Sequence, residues 1–256
     1  MENEIIKNTI PLGNSAGVLL PKNWLNSRVK IILEPLNIEK DVLDILINEN
    51  LLKDTLGVYI VGSYARKEET IESDVDILAI TNNSNKRIKK GKYDIILISI
   101  KEVEAQLKDN ALPLIPMIKE SVVIINPELL SEYKKTELTK KNLQWHIDTT
   151  KSAMKIIEKD IEISKEIKEK NISDGIVYSL ILRLRTLYLI NCIKNNKIWS
   201  KKEFLNLIKK TSGSLTAYEG YLRSKNNEKS QNKLPIEEAE KLMNYINKNI
   251  KELEND

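Results

Sequence analysis

Histidine is nearly missing from this sequence: His146 is the only one in 256 residues. Zinc sites draw on several imidazoles or thiolates, and a Ser-His-Asp triad needs a histidine beside its nucleophile, so neither chemistry is expected. Cysteine is equally scarce. Cys192, again the only one, lies among Leu189, Ile190 and Ile193 and reads as a small buried hydrophobe in a reduced compartment, not as a disulfide partner or catalytic thiol. No charged-then-apolar leader opens the chain, and apolar runs such as Tyr93 to Ile100 are far shorter than a membrane span. The expectation is a cytoplasmic protein with no membrane segment. Excess charge is lacking too: 41 basic and 37 acidic residues leave a net +4 and a pI near 8.8, which permits anionic substrates without requiring them. Any acid–base or metal chemistry is therefore left to carboxylates.

Three stretches differ in character. Residues 4 to 33 alternate short apolar runs with turns: Ile5-Ile6 and Ile10, then Gly13-Asn14-Ser15-Ala16-Gly17, then Val18-Leu19-Leu20. Pro21 opens a short helical turn through Trp24-Leu25, and Val29 to Leu33 reads as a returning strand that Pro35 ends. So short a piece cannot bury a core alone and needs a partner. From Ile38 the spacing of Val42, Leu43, Leu46 and Ile47 predicts a helix. Strands are predicted at Val58 to Val61, Asp74 to Ile80, Tyr93 to Ile100 and Val122 to Ile125. Ser99 and Glu102 have the spacing of a capping box, opening a helix that ends before Pro113. After Thr139 the chain turns helical. Leu143, Ile147, Met154, Ile157 and Ile161 form one stripe, and Ile176 to Asn191, apolar nearly all round, predicts a central buried helix. Ser200 and Glu203 cap a further helix that stops at Gly213, a short one follows at Leu215 to Arg223, and Pro235 opens the last.

The chemistry gathers where the strand at Val58 to Val61 runs into Gly62-Ser63. A helix-forming segment, Ala65 to Glu69, follows, so backbone N–H groups, the Ser63 hydroxyl and the Arg66 cation are candidates to hold an anion there. Asp74 and Asp76 lie at i and i+2 on a strand, on one face, as a divalent-cation seat requires. Asp94, the charged residue in the neighbouring apolar strand, is the candidate third carboxylate. Hard oxygen ligands beside a triphosphate suit magnesium, and three such carboxylates suffice for two-metal phosphoryl transfer.

Gly62, Ser63, Ala65 and Arg66, then Ser73, Asp74 and Asp76, then Asp94 resemble the minimal nucleotidyltransferase branch of the polymerase-beta-like superfamily. Its signature is Gly-Ser-x-Ala-Arg-Gly, then Ser-Asp-x-Asp, then an acidic strand. The resemblance spans about residues 38 to 127. It implies transfer of a nucleoside monophosphate from ATP or another nucleoside triphosphate with two Mg2+ ions. Asp74, Asp76 and Asp94 would be catalytic and metal-binding; Gly62, Ser63, Arg66 and Ser73 would be nucleotide-binding. For Ser73 the alternative is a cap on its own turn. Lys67 departs from the pattern, standing where the family has glycine, and bears on the local turn.

Gly13 to Lys22 resembles the swapped-hairpin segments of AbrB- and MazE-type proteins, in which two copies interlace. That implies a homodimer and, through Lys7, Asn14, Ser15, Lys22, Arg28 and Lys30, contacts to DNA phosphates; the alternative is dimerisation without DNA binding. The helical part is loosely similar to the helical domains of aminoglycoside nucleotidyltransferases and to HEPN-type partners of toxin–antitoxin pairs. The Arg–His pair of a HEPN ribonuclease is absent. Arg183, Arg185 and Tyr188 could face a substrate cleft or simply pack within the bundle, and His146 reads as a packed or surface histidine.

The expected architecture is therefore α+β: residues 1–36 a β swapped-hairpin segment, 37–138 a mixed-sheet nucleotidyltransferase domain, 139–256 a helical bundle. The expected function is adenylyl transfer to a hydroxyl of a protein or small molecule, an antitoxin-type protein-modifying role being among the expectations. The competing readings are a dimeric DNA-binding regulator with a non-catalytic nucleotidyltransferase fold, and an aminoglycoside-type enzyme.

Overall fold

The structure, a computed structural model, describes residues 5–7, 9–32 and 35–255 and separates into two compact units, residues 1–37 and 38–256. In the first unit, β1 (Ile10–Leu12) and β2 (Ser15–Gly17) form an antiparallel hairpin with Leu12 opposite Ser15. Gly13 makes the turn at φ +59°, a conformation that glycine adopts without strain. A single 3-10 turn follows at Lys22–Trp24. The strands expected at Ile5-Ile6, Val18 to Leu20 and Val29 to Leu33 do not form among the described residues, and Leu33 lies outside them. A strand needs a neighbouring edge, and the described residues of this unit supply none to them. Their side chains are left uncovered, with Ile6 74%, Ile31 73% and Ile32 70% exposed.

The second unit is built on a five-stranded mixed sheet, the α+β architecture expected from the sequence. In chain order its first part runs α1 (Ile38–Asn48), β3 (Thr55–Val61), α2 (Gly62–Arg66), β4 (Val75–Thr81), β5 (Lys86–Lys90) and β6 (Tyr93–Ser99). Next come α3 (Ile100–Asp109), α4 (Ile115–Glu120), β7 (Val122–Ile125) and α5 (Pro127–Lys134). The sheet order is β5-β6-β4-β3-β7; β4 and β6 are parallel and every other pair is antiparallel. Alternation along the strands sends Val58, Ile77, Ala79 and Ile95 to one face, under Val42, Ile45 and Leu46 of α1. Tyr59, Val61, Leu78 and Ile80 go to the other, under α3 and α4. Ser99 caps α3 by accepting the Glu102 N–H at 3.3 Å, as its spacing predicted.

Two features were not legible. The Lys-Arg-Ile-Lys-Lys run of β5 is assigned no element from the sequence, yet it pairs with β6 through a tight turn at Gly91, φ +58°. Lysine-rich edges are how sheets discourage further pairing. Asn126-Pro127, expected only to end a strand, also opens α5: the Asn126 side chain accepts the Leu129 N–H at 3.0 Å, and proline at the first helical position lacks only an N–H that would go unbonded.

The helical part comprises α6 (Lys140–Glu166), α7 (Asp174–Lys194), α8 (Lys201–Ser212), α9 (Thr216–Lys225) and α10 (Ile236–Asn255). Two short strands, β8 (Asn171–Ile172) and β9 (Leu234–Pro235), pair within it. By length and composition α7 could cross a membrane. Its Val177, Leu180, Ile181 and Leu184 are fully buried in the bundle core, which accounts for that composition. Toward its end, Ile190 and Ile193 join the core beneath the sheet, so bundle and sheet share packing.

Candidate active site

The carboxylates converge because β4 and β6 run parallel in register. Asp76 lies directly beside Asp94 in that pairing, and opposite Val61 of β3, the residue before Gly62. Asp74 precedes β4 and is exposed, while Asp76 is half-buried. Burial raises the Asp76 carboxyl above its ordinary pKa, and the negative charges of Asp94 and then Asp74 add to the shift. Asp76 therefore feels the charges of both other acids.

Gly62 is pressed against this group. At φ +72° it holds a conformation that favours glycine, and a Cβ there would fall 2.2 Å from Asp76 Oδ2. The helix it opens is shorter than expected, ending at Arg66 instead of continuing to Glu69, because Lys67 turns into the left-handed region at φ 56°, ψ 38°. A glycine would meet that turn without strain, which is why the substitution at Lys67 falls at a structurally demanding place.

Other candidates are engaged within the chain. Arg87 of β5 donates to both oxygens of Asp94, at 2.6 and 2.5 Å, and Lys89 lies 3.4 Å from the same carboxylate. Hydrogen bonding and charge from Arg87 hold the Asp94 carboxyl below its usual pKa. Arg66 donates to Glu120 at 2.7 Å and to Glu68 at 3.0 Å, and lies 4.0 Å over the Trp199 ring. The Gly62 N–H donates to Glu120 at 2.7 Å. Ser73 accepts the Thr70 N–H at 2.9 Å, capping its own turn. Among the described residues no three His, Cys, Asp or Glu side chains are assembled into a metal-holding group. Asp74 and Asp76 nonetheless offer hard oxygens whose mutual repulsion a divalent cation would relieve, whereas Asp94 is neutralised by Arg87 and Lys89.

The sequence matches the nucleotidyltransferase domain over residues 40–182, more than half of the chain. The chain belongs to that family. Its matched region begins in α1, contains the whole sheet and ends within α7. Members generally use a nucleoside triphosphate and a divalent metal ion. No curated protein matches the sequence. Among solved structures, a nucleotidyltransferase-like protein from Exiguobacterium sibiricum is similar at 12% identity and TM-score 0.40, covering 84% of this chain and 75% of its own. The spectinomycin adenyltransferase AAD(9) from Enterococcus faecialis, with ATP and spectinomycin, is similar at 14% identity and TM-score 0.41, covering 83% of this chain and 98% of its own.

In this nucleotidyltransferase the residues that surround the motif most closely carried no sequence signal that tied them to the site, Ser200 being legible only as a helix cap. Glu120 ends a helix, Arg87 lies in a basic run, and Trp199 and Ser200 are remote in sequence from Arg66. Only pairing and packing bring them in. The Tyr188 hydroxyl donates to Glu203 at 3.1 Å, and Arg185 lies 5.3 Å over Trp199, so both border this region. Arg183 and His146 face the interior between α6 and α7, where burial lowers the pKa of each and, for His146, the Arg183 charge adds to the shift. His146 is thus a packed histidine, set edge-on to Trp145 at 4.8 Å. In the N-terminal unit Lys7, Asn14, Ser15, Lys22, Arg28 and Lys30 are all exposed; Asn14 occupies the hairpin turn and Lys22 starts the 3-10 turn.

Proposed function

We propose that this nucleotidyltransferase transfers a nucleoside monophosphate, AMP from ATP being the first donor to test, onto a hydroxyl of a protein or small molecule. The observation that carries the reading is Asp76 in parallel register beside Asp94, with Asp74 adjoining and Gly62 packed on Asp76. The acceptor oxygen forms a bond to the α-phosphorus, the bond to the pyrophosphate oxygen breaks, and the hydroxyl proton leaves to solvent or a nearby carboxylate. Asp74 and Asp76 would hold Mg2+, with Asp94 joining when Arg87 and Lys89 release it. Bound there, magnesium supplies charge neutralisation for the attacking and leaving oxygens. Gly62 and Ser63 would face the triphosphate, and Ser73 would fix the turn that delivers Asp74. An antitoxin-type role, with the acceptor hydroxyl on a toxin, rests on the resemblance of the MNT-like motif and the flanking parts.

Labelled triphosphates incubated with Mg2+, candidate acceptors and either the wild type or the Asp74→Ala plus Asp76→Ala variant test this directly. Release of pyrophosphate by the wild type alone is expected. Aminoglycosides belong in the acceptor panel, and release dependent on one of them would assign that substrate class.

A second reading has its own observation. The uncovered Ile6, Ile31 and Ile32 of the first unit suit a MazE-like segment completed by a second copy, which would make the protein a dimer able to bind DNA through Lys22 and its neighbours. A salt-sensitive DNA shift lost in Lys22→Ala, with no pyrophosphate released by the wild type, would favour the regulator over the enzyme.

A further inference from the structure

Glu120 carried no expectation from the sequence, yet it is 6% exposed and touches both ends of the motif helix. One carboxylate oxygen accepts the N–H of Gly62, the first residue of α2, and the other accepts Nη1 of Arg66, the last, each at 2.7 Å. Arg66 is also bonded to Glu68 and laid against the Trp199 ring. Glu68 in turn accepts from the Ser200 hydroxyl at 2.7 Å and from the Lys201 N–H at 3.1 Å, at the capped start of α8. The motif helix is thereby fastened to the end of α4 at Glu120 and to the helical part at Trp199 and Ser200.

We infer that Glu120 and Trp199 are positioning residues for nucleotidyl transfer, holding Arg66 as a strut that sets α2 and, through Gly62, Asp76. The inference rests on the transfer reaction proposed above. A guanidinium paired with two carboxylates and stacked on an indole has its charge balanced and two of its five N–H donors committed, so it has less to offer a triphosphate than a free cation. Gly62 transmits the effect because its backbone leaves no room for even one carbon beside Asp76 Oδ2. A small tilt of α2 therefore displaces a carboxylate or the phosphate path, and misplacement by about 1 Å can cost a rate on the order of 10²-fold. The unpartnered cation bordering the same indole is Arg185, for which no carboxylate partner is found among the described residues.

Steady-state pyrophosphate release tests this with a double-mutant cycle on Arg66→Met and Glu120→Gln, alongside Trp199→Phe and Trp199→Ala. Expected are kcat losses of about 10- to 100-fold in Glu120→Gln and Trp199→Ala, with the triphosphate KM changed less than about 3-fold. Trp199→Phe should recover most of the rate, since an aromatic platform remains under Arg66. The double variant should be no slower than Arg66→Met, because the two residues act as one unit. A triphosphate KM raised at least about 10-fold in Arg66→Met, with kcat kept and Glu120→Gln at wild-type rate, would make Arg66 a direct phosphate ligand and overturn the inference. If Glu120→Gln does not fold, the Trp199 pair decides: a wild-type kcat in Trp199→Ala rejects the positioning role. A wild type without turnover overturns the transfer reaction and this inference together, whereas wild-type turnover unmoved by both substitutions overturns this inference alone.

Discussion

Asp76 is held partly out of water with two other acids acting on it, so its ionised form is disfavoured in the folded chain. That arrangement opposes stability, and the Mg2+ of the proposed reaction would relieve it. Asp76→Asn should therefore raise Tm in the presence of a chelator and abolish pyrophosphate release, and Mg2+ should raise the Tm of the wild type but not that of the variant. Thermal melts with and without Mg2+ check both. Lys67 poses the opposite problem, a backbone strain that a side chain relieves by leaving. Its left-handed conformation predicts that Lys67→Gly raises stability by up to about 1 kcal/mol, measured by urea denaturation. The motif was readable at this scale because Gly62, Ser63, Asp74 and Asp76 are local in sequence. What the residues bind inside the chain was not, since Arg66 meets Glu120 and Trp199 only after folding.

At the scale of elements, β5 shows how a segment can be invisible in sequence and still shape a site. Its alternation carries lysines and arginine on exposed positions, with only Ile88 half-buried. Its structural reason is Asp94: a carboxylate with a 7% exposed side chain beside Asp76 needs a counter-charge, and Arg87 with Lys89 provides it from across the hairpin. Arg87→Ala should lower Tm in a chelator, with Mg2+ restoring more of the loss than it adds to the wild type; equal increments would show that Arg87 and the cation do not compete for Asp94. The bundle has its own buried pair. Arg223 of α9 donates to both oxygens of Asp174 at the start of α7, at 2.8 and 3.0 Å, and the Gln231 N–H donates at 3.0 Å. Hydrogen bonding from Arg223 holds the Asp174 carboxyl below its usual pKa. Its ionised form is thus favoured by the fold, so its stabilisation is full above the ordinary carboxylate pKa and lost as pH falls through the lower folded value. Asp174→Asn should cost about 3 kcal/mol at neutral pH, with the gap to wild type closing in acid. The caps of α3 and α8 were legible, and those of α6 and α7, at Thr139 and Ser173, are equally local, whereas these pairings join elements far apart in sequence.

For the whole molecule, the division after Asn37 separates a part with buried cores from a part whose described residues form none. Residues 38–256 contain three cores: one on each face of the sheet and one in the bundle. That segment alone should unfold cooperatively and retain the pyrophosphate release of the full chain, while eluting as a monomer by light scattering where the full chain elutes as a dimer. A monomeric full chain would remove the argument that a second copy covers Ile6, Ile31 and Ile32. The sequence by itself determined the α+β architecture, the helical second half and the motif from Gly62 to Asp76, because hydrophobic period, capping residues and turn chemistry act over a few neighbours. Only the tertiary structure decided that β5 is a strand, that Asp94 is shared with Arg87 and Lys89, and that Glu120 and Trp199 clamp Arg66. Those outcomes depend on strand partners and buried charges meeting across long stretches of chain, and no local pattern encodes which carboxylate a guanidinium will find.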